Sequence, residues 1–172
     1  PNLFKTIAEY RPDVIGFSIT SGAEEYYLEL IRQIRRHYSD FIALMGGPHP
    51  TFFPEIIEQN EVNIICRGEG DDALPDLLDR LRDKQDYTNI PNLWVKKDGV
   101  VVKNAMRPLI HDLDRLPYPD RSSFLKYYAY AHSSVKHFLA GRGCPYDCSY
   151  CFNHKLKKMY REEAGEKQYC RL

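Results

Sequence analysis

The stretch "DVIGFSITSGAEEYYLELIRQIRRHYSDFIALMGGP", residues 13–48, contains two short apolar runs separated by one amphipathic run. The apolar runs, around 14–19 and 41–45, have the length and composition of buried strands. The run between them predicts an amphipathic helix, because its apolar residues recur at helical spacing: Tyr27, Leu30, Ile31, Ile34 and Tyr38. A strand, a helix and a strand in this order predict two parallel strands joined by a right-handed crossover.

The alternation continues on both sides of this unit. A helix is predicted around residues 3–8, a short helix at 54–59, a third strand in "VNIIC" (62–66) and a helix at about 71–84. The apolar face of that last helix is expected to contain Leu74, Leu77, Leu78 and Leu81. "LWVKKDGVVVK" (93–103) predicts a hairpin, since two β-rich segments flank Lys97-Asp98-Gly99. We therefore predict an α/β fold with a Rossmann-like parallel sheet and crossover helices.

The composition excludes several classes of protein. The chain has 172 residues, with 24 basic and 24 acidic side chains, which argues against a nucleic-acid partner. No apolar run has the length of a membrane span, and no signal segment precedes the first helix. Five cysteines, three of them clustered, favour a reducing, cytoplasmic location over a secreted disulfide scaffold. The chain begins at Pro1, so we expect it to be part of a longer protein.

The periodic pattern of apolar residues is lost after residue 106. "RPLIHDLDRLPYPDR" (107–121) has three prolines and little periodicity, so residues 107–135 are predicted to be a linker. "VKHFLAG" (135–141) predicts a further strand, and "NHKLKKMYREEAGEKQY" (153–169) a helix or a mobile tail. These boundaries divide the chain into residues 1–106, 107–135 and 136–172.

The segment "GRGCPYDCSYCFN" (141–153) carries Cys144, Cys148 and Cys151 at C-x3-C-x2-C spacing. Thiolates select zinc, copper or iron–sulfur clusters. A structural zinc site needs a fourth ligand, for which His154 at C-x2-H spacing, His137 and Cys170 are candidates. A 4Fe–4S cluster is commonly held by four thiolates, so three of them leave one iron open to a further ligand. Of the two other cysteines, Cys66 is expected in the core and Cys170 in a tail.

With Tyr150 before its last cysteine, this segment resembles the radical S-adenosylmethionine superfamily. The resemblance implies that Cys144, Cys148 and Cys151 bind three irons of a 4Fe–4S cluster, that S-adenosylmethionine occupies the fourth iron, and that Tyr150 lies near its adenine. In that family, one-electron reduction cleaves the cosubstrate to a 5′-deoxyadenosyl radical that abstracts hydrogen. A small-molecule substrate and an electron donor such as flavodoxin or ferredoxin are implied as partners.

Three loops follow the predicted parallel strands, where ligands of open α/β sheets bind: "SITSG" (18–22), "GGPHPT" (46–51) and "RGEGD" (67–71). The helix after the first loop also offers its N-terminal amides to an anionic group. Together with "LDRLPYPDR" (113–121), these segments resemble the cobalamin-binding domain found upstream of many radical S-adenosylmethionine enzymes. The resemblance implies a pocket for the nucleotide tail and lower face of the corrinoid, lined by Ser18, Thr20, Ser21, Gly46, Gly47, Gly68, Glu69 and Gly70.

By the same resemblance, residues 1–106 form a cobalamin-binding-type domain that lacks its usual first strand, and residues 136–172 begin a truncated (β/α) barrel. The D-x-H-x-x-G motif, which supplies the histidine ligand of cobalt in methionine-synthase-type cobalamin domains, does not occur in this sequence. No histidine, His49 included, is therefore assigned to cobalt. A full eight-unit barrel takes roughly 250 residues, and residues 136–172 have room only for its first strand, the cysteine loop and one helix. We therefore expect the 172-residue chain alone to be inactive. Relatives in this family transfer methyl groups to their substrates, or form or rearrange rings in them. The alternative is a non-catalytic corrinoid- or nucleotide-binding module with a Cys3His zinc site.

Overall fold

A computed structural model describes residues 3–171. The chain divides into two compact units, of which the first ends at Arg107 and the second begins at Pro108. No helix within residues 3–171 is both long enough and apolar enough to cross a membrane. The predicted boundaries at 106/107 and 135/136 stay predictions.

The first unit alternates helices and strands, as its sequence pattern predicts. In chain order, its elements are α1 (Leu3–Tyr10), β1 (Val14–Ser18), α2 (Glu24–His37), β2 (Ile42–Gly46), α3 (Pro48–Phe52), a 3₁₀ helix (Pro54–Glu58), β3 (Ile64–Cys66), α4 (Ala73–Arg82), β4 (Leu93–Lys97) and β5 (Val100–Lys103). Helix α3 is an addition to the prediction, which treated residues 46–51 as a loop.

The five strands form one sheet in the order β1-β2-β3-β4-β5. Strands β1, β2 and β3 are parallel, with Ser18 opposite Gly46 and Met45 opposite Ile65. Strands β4 and β5 are the predicted hairpin, which joins β3 in an antiparallel sense. Its turn residues Asp98 and Gly99 have φ values of 51° and 77°, as a type I′ turn requires. The predicted α/β fold is confirmed, with a sheet that is mixed because the hairpin extends it.

Apolar side chains pack on both faces of the sheet, since successive residues of a strand point to opposite sides. In β2, Ala43 and Met45 belong to one buried cluster and Leu44 to the other. Helix α2 buries Ile31 and Ile34 as predicted, together with Leu28, which the predicted stripe omitted.

Helix α4 differs more from its predicted orientation. It buries Ala73 and Leu77, whereas Leu74 and Leu78 are 38% and 54% exposed. Ala73 and Leu77 belong to a buried cluster of the sheet, against which Leu81 packs as a partly buried residue. The predicted apolar face of α4 was therefore wrong in two of its four residues.

The second unit contains two 3₁₀ helices (Leu113–Arg115 and Ser122–Phe124), α5 (Tyr128–Ala131) and α6 (Phe152–Ala164). Of the two alternatives for residues 153–169, the helix is confirmed. The strand predicted at 135–141 is wrong. These residues have no regular structure, and Phe138 and Leu139 are exposed. A strand forms only where a neighbouring strand satisfies its backbone groups, and no such neighbour pairs with 135–141 among the described residues.

The end of the described chain is integrated into the second unit. Arg142 and Arg171 exchange two backbone hydrogen bonds of 2.8 Å. The buried Arg171 side chain also donates from Nη1 to the carbonyl of Ile110 (2.7 Å). Cys170, next to Arg171, is partly buried. The prediction that Cys170 lies in a tail was therefore wrong.

Candidate functional site

The candidate site lies at the carboxyl edge of strands β1, β2 and β3, where the first loop (19–23), the second loop (47–53, which includes α3) and the third loop (67–72) begin. Because the strands are parallel, these loops emerge at one edge of the sheet. The amide of Ile19 donates to the carbonyl of Gly46 (2.8 Å), and the amide of His49 donates to the carbonyl of Ile19 (3.0 Å). The first and second loops are thus joined by backbone hydrogen bonds.

Gly47 marks the closest approach of the first two loops. Its φ is 93°, and a Cβ there would lie 2.9 Å from both the backbone nitrogen and the carbonyl oxygen of Ile19. The same Cβ would lie 3.1 Å from Oγ of Ser18. A larger residue at position 47 would push the first loop away, so the edge requires glycine for both space and conformation.

Thr51 joins the second loop to the third. Its side chain is buried, and its hydroxyl donates to the carbonyl of Gly47 (2.8 Å) and accepts from the amide of Gly68 (3.1 Å). Sequence reasoning did not single out Thr51. The only signal was a hydroxyl residue among the glycines and prolines of "GGPHPT".

Asn92 holds the third loop from the other side. It is 2% exposed and has a φ of 74°. Its Nδ2 donates to the carbonyl of Glu69 (2.6 Å), and its Oδ1 accepts from the amide of Arg107. Asn92 was also missed, although asparagine between a proline and a strand is a residue that tolerates positive φ.

The start of α2 carries its own carboxylate. The amide of Gly22 donates to Oε2 of Glu24 (2.6 Å), and Glu25 adds a second acidic side chain to the first turn. The pKa of the Glu24 carboxyl is lowered, chiefly by the hydrogen bond from its own amide and further by that of Gly22. The Glu24 carboxylate thus uses one amide of this helix end and one that precedes it, and the predicted anion site stays a prediction.

His49 belongs to the second loop and faces the first. Its Nδ1 is 3.2 Å from Oγ of Ser21 and 3.9 Å from Oε2 of Glu24, and its ring stacks on Phe53 with the centroids 5.2 Å apart. His49 thus contacts the neighbouring loop, and the prediction that it is not a ligand of cobalt stays a prediction.

All eight residues predicted to line the corrinoid pocket lie at this edge. Ser18, Thr20 and Ser21 are exposed, and the other five are partly exposed: Gly46, Gly47, Gly68, Glu69 and Gly70. Their assignment to cobalamin stays a prediction.

A cavity of about 710 Å³ lies elsewhere, at the amino edge of the same strands. Asp13, Phe41 and Ile42 line it together with Leu81 and Arg82 of α4. Ligands of open parallel sheets bind at the carboxyl edge, so we place the candidate site there rather than in this cavity.

The cysteine segment of the second unit is exposed. Cys148 is exposed, Cys144 and Cys151 are partly exposed, and the side chain of Tyr150 is 90% exposed. Within residues 3–171, no group of three or more histidine, cysteine or acidic side chains is arranged to hold a metal ion. The three thiols are therefore close in sequence without forming a ready ligand set, and their assignment as ligands rests on the sequence.

Two features position the cysteine segment. Asp147 accepts from Nζ of Lys157 in α6 (3.0 Å), which lowers the pKa of the Asp147 carboxyl. Gly143 has a φ of 86°, and a Cβ there would overlap the carbonyl of Tyr169 and lie 2.9 Å from Cα of Cys170. Position 143 therefore requires glycine for two reasons, its positive φ and its contact with residues 169 and 170.

Comparison with known proteins supports a relation to cobalamin proteins. Residues 1–78 match the B12 binding domain family. An uncharacterized methyltransferase of Pyrococcus horikoshii is 30% identical over an alignment 172 residues long, which covers 96% of this chain and 37% of the relative. The anaerobic magnesium-protoporphyrin IX monomethyl ester cyclase of Rubrivivax gelatinosus is 30% identical over 166 residues, covering 90% of this chain and 29% of the relative. The chain thus spans about a third of the length of these curated relatives.

Solved structures share the fold. The cobalamin-dependent S-adenosylmethionine radical enzyme OxsB, with aqua-cobalamin and S-adenosylmethionine bound, aligns with a TM-score of 0.69 and 24% identity over 87% of this chain and 21% of OxsB. The radical S-adenosylmethionine methyltransferase TsrM from Kitasatospora setae, with cobalamin and a [4Fe-4S] cluster bound, aligns with a TM-score of 0.67 and 21% identity over 89% of this chain and 34% of TsrM. The predicted resemblance is confirmed: residues 1–78 match the B12 binding domain family, and nearly the whole chain shares the fold of part of OxsB and of part of TsrM.

Proposed function

We propose that the first unit binds cobalamin at the carboxyl edge of β1, β2 and β3. The observation that carries this proposal is the joining of the three loops at one edge, within the segment that matches the B12 binding domain family. A corrinoid is a large, flat ligand with a long nucleotide tail. Loops rich in glycine let such a ligand approach the backbone, and Ser18, Thr20 and Ser21 present exposed hydroxyl groups to it.

We further propose that the chain is the N-terminal part of a radical S-adenosylmethionine enzyme. Cys144, Cys148 and Cys151 would hold a 4Fe–4S cluster, with S-adenosylmethionine on the fourth iron. Its adenine would stack against Tyr150, whose exposed ring is available for such a contact. When bound and reduced by the electron donor, the cluster would supply the electron that cleaves S-adenosylmethionine to methionine and a 5′-deoxyadenosyl radical. The reaction class is methyl transfer, cyclisation or rearrangement of a small-molecule substrate, and the electron donor is of the flavodoxin or ferredoxin type.

Cobalamin binding is tested by titrating the 172-residue chain with hydroxocobalamin and following retention in equilibrium dialysis. We expect one cobalamin per chain, and Gly47→Ala should abolish its binding because the new Cβ would displace the first loop. Gly99→Ala is the matched control, since Gly99 also has positive φ but a Cβ there meets no atom within 4 Å. Absence of binding by the unaltered chain, or equal loss in both variants, would contradict the proposal.

The cysteine segment is tested by anaerobic reconstitution with iron and sulfide. We expect the broad visible absorbance of an iron–sulfur cluster, lost in Cys148→Ala and retained in Cys170→Ala. Stoichiometric zinc without such absorbance would instead favour the alternative of a non-catalytic module with a Cys3His zinc site.

A further inference from the structure

The inference concerns Thr51, a residue outside the predicted pocket. Thr51 is 4% exposed, and its hydroxyl group makes two hydrogen bonds to backbone groups. A hydroxyl has a single hydrogen to donate, which goes to the carbonyl of Gly47, while a lone pair accepts the amide of Gly68. Replacing the hydroxyl by a methyl group would leave both backbone groups without this partner.

The two groups that Thr51 joins belong to different loops. Gly47 follows β2, and Gly68, at a φ of 72°, follows β3. The ladder between β2 and β3 ends at the pair Met45 and Ile65, so no ladder pair joins the two chain segments at Gly47 and Gly68. The Thr51 side chain therefore spans the gap between the loops where the backbone ladder has stopped.

A gap between glycine-rich loops needs such a support. Glycine carries no side chain that could pack against a neighbouring loop, and its backbone has more conformational freedom than that of any other residue. The buried hydroxyl supplies a fixed spacing in their place. A large rigid ligand that contacts both loops requires that spacing, because each loop would otherwise have to be ordered on binding.

We propose that Thr51 is a positioning residue for cobalamin, which sets the distance between the second and third loops without touching the ligand. This inference rests on the proposed cobalamin site. It predicts that loss of the hydroxyl weakens cobalamin binding beyond any effect on the stability of the fold.

The other end of the same two strands provides a matched control. Oδ1 of Asn63 accepts from the amide of Ala43 (2.9 Å) and from Nη2 of Arg35 (2.8 Å). Asn63 thus makes a comparable pair of hydrogen bonds at the amino edge, away from the three loops. If Thr51 contributed only to stability, Asn63→Leu and Thr51→Val would affect cobalamin binding alike.

The test measures the Kd of hydroxocobalamin and the Tm for the 172-residue chain and its variants. Thr51→Val, which conserves the shape of the side chain, should raise Kd at least roughly tenfold, the effect of two buried groups left unpaired. Thr51→Ser should stay within about threefold of the unaltered chain, because it restores both bonds. Thr51→Cys, a weaker donor and acceptor, should fall between them and serves in place of Thr51→Val if that variant does not fold. Asn63→Leu should lower Tm and leave Kd within about threefold.

Hydrogen exchange of the cobalamin-free chain tests separately the bridge between the loops, that is, the hydrogen bond from the Gly68 amide to the Thr51 hydroxyl. Thr51→Val should accelerate exchange of the Gly68 amide, whereas Asn63→Leu should not. Faster Gly68 exchange with an unchanged Kd would overturn the positioning role. If the unaltered chain binds no hydroxocobalamin, the proposed site and the role of Thr51 in it both fail, and Gly68 exchange then shows whether the bridge exists as a purely structural feature.

Discussion

The carboxyl edge of the sheet and the cysteine segment are built in opposite ways. At the edge, the buried side chains of Thr51 and Asn92 hold the third loop, and backbone hydrogen bonds join the first loop to the second. The cysteine segment is exposed, and among its side-chain contacts are an ion pair between Asp147 and Lys157 and a hydrogen bond between Asn153 and Tyr169. Ligand sets for metals rarely assemble before the metal is bound. The first region is therefore shaped by folding alone, whereas the second would acquire a ligand geometry only on binding the group proposed for it.

Thiol reactivity should separate the two regions most strongly. Burial raises the pKa of the Cys66 thiol to about 11 from 9.0, with a smaller contribution from Asp71. This shift alone lowers its thiolate fraction at pH 8 about 100-fold, and the thiolate is the reactive form. We expect iodoacetamide to alkylate Cys148 at least about 100-fold faster than Cys66 in the native chain, as followed by mass spectrometry of peptides.

The same experiment contains its own control. In urea the two cysteines should react at similar rates, because unfolding removes the burial of Cys66. The raised pKa also makes the stability of the fold depend on pH. Because the pKa of Cys66 is higher in the folded than in the unfolded chain, its contribution to the free energy of unfolding is complete at pH values below its pKa in the unfolded chain. This contribution is lost as the pH rises toward 11. Equal alkylation of both thiols in the native chain would remove the contrast between a buried edge and an exposed segment.

Gly143→Ala is expected to have the next largest effect. Its Cβ would overlap the backbone at Tyr169, so the pairing of Arg142 with Arg171 should be lost at a cost of about 3 kcal/mol. This cost corresponds to roughly 100-fold faster hydrogen exchange of the amides of Arg142 and Arg171. Gly165→Ala is the control, because Gly165 has positive φ but open space around it, and should cost only about 1 kcal/mol. Similar exchange in both variants would show that the contact with Tyr169 is unimportant.

Asn92→Gly should have the smallest of these effects. Glycine accepts the positive φ of Asn92, so the substitution removes only the side-chain hydrogen bonds to Glu69 and Arg107. The free energy of unfolding in urea, followed by the fluorescence of Trp94, should fall by about 2 kcal/mol. Asp98→Gly, at a position with similar φ in the exposed hairpin turn, should change it by less than about 0.5 kcal/mol. If both substitutions were neutral, the third loop would not depend on Asn92.

The predicted fold was correct where local pattern and packing agree. The runs at 14–19 and 41–45 became β1 and β2, and the turn at Asp98-Gly99 formed its hairpin. Prediction failed where a neighbour decides the outcome. The apolar run at 135–141 has strand composition but no strand paired with it among the described residues. Leu78 fits a helical stripe, yet it is exposed, and Ala73 and Leu77 are the residues that α4 buries.

The candidate site likewise contains residues that the sequence predicted and residues that it did not. The order of the strands placed Ser18, Gly46 and Gly68 at one edge before any side chain was positioned, because parallel strands end on the same side. The spacing of Cys144, Cys148 and Cys151 was likewise readable from the sequence, since it depends on residues close in the chain. Thr51 and Asn92 were not readable, because their partners Gly68 and Glu69 lie 17 and 23 residues away. A hydrogen bond between distant residues leaves no periodic trace in a sequence, so the fold itself reveals which polar side chains hold the loops together.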